Sequence, residues 1–164
     1  MLAAMLLAAW MLAALAAPGE QSHDATVRHP FDDVAKWVGV FDDPGRDVWQ
    51  KPDAVLRALD VRPGMSVADL GAGTGYFSVH LAQAVGDKGR VLAIDVEPKL
   101  VDYMKERATK AKLAQLVPVL APVDDPKLPE GGIDLVLIVD TWHHIDDRLR
   151  YLPKLAAGLK SQGR

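Results

Sequence analysis

From Ser66 to Leu159 the chain repeats one pattern, a short apolar run, a turn and an amphipathic stretch, and this alternation constrains the fold more than any other feature. Val67–Leu70, Val91–Ile94, Leu116–Leu120 and Ile133–Val139 have strand length and β-rich composition. Tyr76–Val85, Lys99–Leu113 and Arg148–Leu159 have helical spacing, the second with Leu100, Tyr103, Met104, Ala108 and Ala111 along one stripe. Strands separated by helices pair in parallel through right-handed crossovers, so the pattern predicts an α/β fold with a parallel sheet. Ile133–Val139 is apolar apart from Asp134, the pattern of a strand buried on both faces.

Ahead of this region lies a shorter segment of helical character. Phe31–Phe41 spaces Phe31, Val34, Trp37, Val38 and Phe41 by threes and fours, Asp42-Asp43-Pro44-Gly45 interrupts it, and a second helix is predicted from about Asp53 to Leu59. The domain plan is therefore a helical appendage over 31–60 and the sheet domain over 61–164, with 18–30 as an aperiodic linker. Residues 1–17 are all apolar, and without them the apolar content falls from 49% to about 43%, ordinary for a soluble domain. Ala14-Leu15-Ala16 fits a small-residue cleavage site, so 1–17 is expected to be a signal peptide or membrane anchor, with the domain exported, periplasmic or membrane-anchored. The first cationic side chain is Arg28, and the missing basic n-region points to a start further upstream. A leader that is an artefact of start choice would instead leave the domain cytoplasmic.

Charge and composition exclude several classes. Lys and Arg number 19 against 22 Asp and Glu, with no basic run, so the electrostatic footprint of a nucleic-acid-binding protein is absent. The lack of cysteine removes thiolate nucleophiles, cysteine-ligated zinc and disulfides together.

The chemistry concentrates in Val67-Ala68-Asp69-Leu70-Gly71-Ala72-Gly73-Thr74-Gly75-Tyr76-Phe77, where three glycines stand at a strand-to-helix turn. Such a turn brings a ligand close to bare backbone at a helix N-terminus. A dinucleotide fingerprint needs glycine at the sixth position counted from Gly71, and Tyr76 stands there. Asp69, just before the loop, would repel a phosphate and suits a cationic ligand. Asp95 ends the second strand 22 residues after Gly73, the spacing of an acid that binds both ribose hydroxyls, with Glu97 as the alternative if the strand runs longer.

On these residues the sequence resembles a known family. ADLGAGTGYFSVHLA is similar to the first motif of class I S-adenosylmethionine-dependent methyltransferases, and VLAIDVEPKLVDYMKERA to the second-strand segment that follows it. APVDDPKLPEGGIDLVLIVDTWHHIDD resembles the third- and fourth-strand segments, and LPKLAAGLKSQGR the turn before a fifth strand. FDDVAKWVGVFDDPGRDVWQKP resembles the N-terminal segment of a bacterial, signal-bearing subset. The resemblance, over residues 53 to 164, implies a Rossmann-like three-layer αβα sheet of order 3-2-1-4 and methyl transfer from S-adenosylmethionine; the acceptor is unidentified, with a small molecule as the expectation. It implies that Asp69, Gly71, Ala72, Gly73 and Gly75 surround the methionine part, that Asp95 holds the ribose and that Val96 packs on the adenine. Two positions depart from the family pattern. The usual adenine-contacting Asp aligns with Pro122, leaving Asp124 as the nearest substitute, and Ser161-Gln162 replaces a Pro-Gly turn.

Asp140-Thr141-Trp142-His143-His144 follows the fourth strand, at the edge where open α/β sheets place ligands. Asp140 is expected to line the pocket, and His143 or His144 to take a proton from the acceptor, against the alternative that both histidines only cap the loop. Adjacent His143, His144, Asp146 and Asp147 do not converge on one ion, so no metal is expected. Trp49 and Gln50 read as a lid over the cofactor or as packing on the sheet, Tyr76 as a neighbour of the methionine chain, and His80 as structural. Lys99, Lys105, Lys110 and Lys112 with Glu106 read as a solvated helix face.

The family sheet has seven strands and this sequence stops where the fifth would begin, so the expectation is a truncated chain whose C-terminal strands are missing. The fourth strand would then be an apolar edge open to self-association. The competing readings are an inactive S-adenosylmethionine-binding module and, opposed by Tyr76, an NAD or nucleotide-sugar enzyme.

Overall fold

The computed structural model describes Phe31 and residues 33–164; the leader at 1–17 and the linker at 18–30 fall outside the described residues. Three short helices come first, α1 (Val34–Phe41), α2 (Arg46–Gln50) and α3 (Pro52–Ala58). Then follow β1 (Ser66–Leu70), α4 (Tyr76–Val85), β2 (Arg90–Asp95), α5 (Pro98–Lys110), β3 (Leu116–Leu120), β4 (Leu135–Ile138), a 3₁₀ turn at Trp142–His144 and α6 (Arg148–Gly158). Among the described residues no helix is long and apolar enough to cross a membrane.

The sheet is parallel with order β3-β2-β1-β4. The chain leaves β1 on one side to build β2 and β3, then returns to place β4 on the other side. This reversal is a topological switch, and it opens a crevice at the carboxyl ends of β1 and β4. The register pairs Leu70 with both Ile94 and Ile138, and Asp95 with Leu120, so those carboxyl ends finish level.

Strand alternation sends residues to two cores. Val67, Val91, Ala93, Leu135 and Leu137 pack with Phe77, Leu81, Val85 and Met104 on the face covered by α4 and α5. Ala68, Leu70, Leu92 and Ile94 pack with Ile145, Tyr151 and Leu155 on the face covered by α6. The result is the three-layer αβα arrangement expected of the sequence.

Element boundaries follow local chemistry. The first helix begins at Val34 because the Asp33 side chain accepts from the Lys36 N–H at 3.1 Å and caps it. Pro98 and the Glu97 cap start α5, and Arg107 and Lys110 stand in its last turn, where the helix dipole favours cations. The pattern missed α2, whose five residues are shorter than any periodicity can register. The fourth strand is shorter than predicted, and its second face is only half-buried at Val136 and Ile138, because α6 is the helix that covers that side. Nor is its outer margin bare. Ile133 bridges Leu159, Arg164 N–H donates to the Asp134 carbonyl at 3.1 Å, and Val136 N–H donates to the Arg164 carbonyl at 2.9 Å. Those last two bonds have the geometry of a parallel ladder, so residues 159–164 cover the first half of the edge that was expected to be open.

Candidate functional site

A cleft of about 750 Å³ opens over the carboxyl ends of β1, β2 and β4. Its floor comes from the sheet and the glycine loop, and its roof from the appendage through Phe31, Val40, Phe41, Arg46, Trp49 and Gln50. Of the residues singled out by sequence, Asp69, Gly71, Ala72, Gly73, Tyr76, Asp95, Val96, Asp140 and His144 line this one space.

Three others do not. Gly75 turns toward α5, and a Cβ there would stand 3.2 Å from Met104 Cγ, so this glycine serves helix packing. Asp124 is exposed and outside the cleft lining, while its carbonyl accepts from Lys154 Nζ at 2.5 Å; Pro122 and Val123 occupy the corresponding stretch of wall. His143 lies beside the cleft, its ring 4.0 Å from that of His144 and its Nδ1 3.9 Å from Asp140 Oδ1.

The glycine loop differs physically from a phosphate cradle. Gly71 and Ala72 N–H both donate to the Ile94 carbonyl, at 2.8 and 3.0 Å, and Gly75 N–H donates to Ala72. Gly73 N–H donates to Asp95 Oδ2 at 2.8 Å. Four loop amides that could hold pyrophosphate oxygens are thus already bonded within the protein. The bare α-carbons are also occupied. At Gly71, with φ +73°, a Cβ would overlap the Thr141 side chain at 2.1 to 2.7 Å, and at Gly73 it would touch the Phe41 ring at 3.4 Å. The sequence suggested backbone left open for a ligand; the structure fills most of that space with its own side chains.

Two carboxylates dominate the electrostatics. Asp69 is buried and its Oδ2 accepts from Ser78 Oγ at 2.6 Å. Burial pushes its carboxyl up to about 6, against the lowering effect of the Ser78 hydrogen bond, with nearby Asp95 raising it further. Asp95 is also raised by burial, opposed by the N–H groups of Glu97, Gly73 and Val96. Neither has a cationic side chain in ion-pair contact among the described residues. Two acids held in a low-dielectric cleft create a demand for positive charge or for hydroxyl donors.

The appendage is fastened to the loop by contacts that local sequence did not reveal. Asp42 accepts from Thr74 Oγ1 at 2.9 Å and from Arg107 Nη1 at 2.7 and 2.8 Å, and the same nitrogen donates to the Thr74 carbonyl at 3.1 Å. Tyr76 donates to Asp47 Oδ1 at 2.5 Å, and burial together with that carboxylate pushes its phenol up to about 12, so it keeps its proton as donor. The Arg46 guanidinium lies 4.0 Å from the centre of the same ring. Tyr76, the residue that breaks the dinucleotide fingerprint, is therefore the seat of α2. Trp49 and Gln50 both line the cleft, and Trp49 remains 67% exposed, with the Arg46 guanidinium 6.0 Å from its ring.

Comparison with known proteins is consistent with this arrangement. A family model described as a methyltransferase domain matches residues 67–163. An uncharacterized methyltransferase of Mycobacterium bovis is 32% identical over 116 residues, covering 71% of this chain and 40% of that protein. The crystal structure of a SAM-dependent methyltransferase from Aquifex aeolicus superposes with a TM-score of 0.74 at 29% identity, over 81% of this chain and 69% of the other. A demethylmenaquinone methyltransferase of Bacillus cereus is 22% identical over 149 residues, covering 88% of this chain and 62% of that protein. The chain thus spans less than two thirds of the length of these curated relatives, 40% of one and 62% of the other.

Proposed function

The chain belongs to the S-adenosylmethionine-dependent methyltransferase family, and on that premise we propose that its cleft binds S-adenosylmethionine and delivers the methyl group to a small acceptor with an apolar body. The observation that carries this reading is the pairing of Asp69 and Asp95 across a glycine loop whose amides are internally bonded. A phosphate would meet two carboxylates and few open donors, whereas an ammonium and a ribose find acceptors. The residues present fit the ligand: Asp69 would receive the ammonium, Asp95 the ribose hydroxyls, and Val96, Leu100 and Val123 form apolar walls for a purine. When bound, S-adenosylmethionine supplies a methyl carbon activated by its sulfonium, which an oxygen or nitrogen nucleophile attacks as the carbon–sulfur bond breaks.

The chain's own contribution is binding, orientation and water exclusion. Phe31, Val40 and Trp49 give the roof an apolar lining, which favours an acceptor with an aromatic or aliphatic body. Of the two histidines, His144 lines the cleft, which supports it over His143 as the group that takes up the acceptor's proton. The test is formation of S-adenosylhomocysteine when the chain is incubated with S-adenosylmethionine and a panel of phenols, quinols and amines. The expected result is turnover with at least one apolar acceptor, and loss of about 100-fold in Asp95→Ala, because a buried charged hydrogen-bond pair contributes roughly 1.5–3 kcal/mol. Turnover that Asp95→Ala leaves unchanged would overturn the assignment of the ribose site.

A further inference from the structure

Among the described residues nine large apolar side chains are exposed, and all nine lie toward the cleft end of the molecule. Val96, Leu120, Val123 and Trp142 stand at or just beyond the carboxyl ends of β2, β3 and β4. Leu149 and Leu152 occupy the first two turns of α6, which starts from that end, and Val40, Val48 and Trp49 belong to α1 and α2 of the roof. Leu149 is 85% exposed and Val48 77%. The opposite end differs in kind, its turns exposing Asp87 and Lys88 before β2, Lys112 before β3 and Glu130 before β4. Scattered singly, exposed apolar side chains need no explanation; confined to one end, they mark a surface that meets something apolar.

Two indoles narrow the partner. The Arg148 guanidinium lies 5.7 Å from the Trp142 ring and the Arg46 guanidinium 6.0 Å from the Trp49 ring. Indoles beside long cationic side chains suit the boundary between lipid tails and headgroups, where the ring is half-immersed and the cation reaches water. Exposed Asp43, Asp140, Asp146 and Asp147 lie in the turns at the same end, so charge there is mixed and the attraction is apolar. The chain also leads to this end. Residues 1–17 are all apolar, the lower limit of a membrane-spanning length, and 18–30 join them to Phe31, which lines the roof. A linker of that length reaches at most about 45 Å, so a leader seated in a bilayer brings the cleft end to it first. We propose that the cleft rim docks on a lipid bilayer, with Val48, Trp49, Trp142 and Leu149 entering the headgroup boundary and the cleft mouth turned toward the tails. An acceptor dissolved in the membrane then enters the cleft without crossing water. The docking does not depend on which ligand the cleft holds, so its failure would leave the reading of the cleft intact.

The chain has no cysteine, so a single introduced thiol can carry an environment-sensitive fluorophore. The label is placed at the rim in Leu149→Cys and at the opposite end in Lys88→Cys, each in the 164-residue chain mixed with phosphatidylcholine vesicles whose acyl chains carry bromine as quencher. The expected result is a blue shift and severalfold quenching at 149 with neither at 88, weakened when Val48→Asp is added. The signal should persist in about 1 M salt, which screens exposed charges beyond about 3 Å. The leader is present in every sample, so its own insertion cannot produce the difference between the two positions. Equal signals at both positions, no binding to vesicles, or loss of the signal in salt would overturn the proposal. A shift at 149 that grows with protein concentration in the absence of lipid would also overturn it, by identifying a second copy of the chain as the occupant.

Discussion

Asp69 joins the sequence, the fold and the proposed ligand site most closely. It is the fourth residue of β1, between Ala68 and Leu70 and paired with Ala93 and Leu137, so it is buried by its register and not by its own preference. Its folded carboxyl titrates near 6 against an ordinary 3.8, so the folded state holds a proton through this window that the unfolded state has already lost. Stability of the unliganded protein therefore falls as pH rises from about 4 through 6, and is lower by this contribution above it. A ligand ammonium needs the ionised form, which gives binding the opposite slope. Calorimetry at pH 5 and 7 should show S-adenosylhomocysteine binding about tenfold weaker at pH 5 and methylthioadenosine unchanged. A pH-independent affinity for both would show that Asp69 does not face the ammonium. The acid itself was legible in the sequence from its place before the loop. What was not legible is that Gly71, Gly73 and Gly75 are needed to admit Thr141, Phe41 and Met104, since each partner is distant in the chain.

At the scale of elements, the appendage is a roof clamped at one corner. Asp42, in the turn after α1, reaches Thr74 in the glycine loop and Arg107 in α5, groups 32 and 65 residues away. The ion pair is largely shielded, with the two side chains 16% and 26% exposed, so it exceeds the usual small value of a surface pair. Arg107→Met should loosen α1 and α2 by about 1–3 kcal/mol of local opening free energy while leaving the sheet intact. Hydrogen exchange checks this: faster exchange over 34–50 with unchanged β1 and β2 is expected, and unchanged exchange over 34–50 would show that the clamp contributes nothing. The helical period marked α1 and α3, but the docking of these helices rests on single polar pairs that leave no periodic trace. The same lack of a local trace applies to Asp124, the acid nearest in sequence to Pro122. The loop after β3 carries it outward, and Val123 remains on the cleft wall.

At the scale of the molecule, strand order decides where chemistry can occur. Alternating apolar runs and helices made the parallel sheet legible, because period 2 and period 3.6 are local signals. The switch between β1 and β4 then places Asp69, Asp95, Asp140 and His144 around one opening, although they are drawn from three strand ends and a 3₁₀ turn. The coverage of β4 by residues 159–164 was not legible, since it depends on backbone bonds and not on side-chain pattern. Ligand charge is the deciding property: under the proposed reading, a cleft with two carboxylates and internally bonded loop amides favours a sulfonium-bearing amino acid over a diphosphate. Titration of the 164-residue chain with S-adenosylmethionine and, separately, with NAD tests this most directly. Saturable one-to-one binding of S-adenosylmethionine, abolished in Asp69→Ala, with no heat from NAD, is expected; binding of NAD without S-adenosylmethionine would overturn the charge-based reading of the cleft.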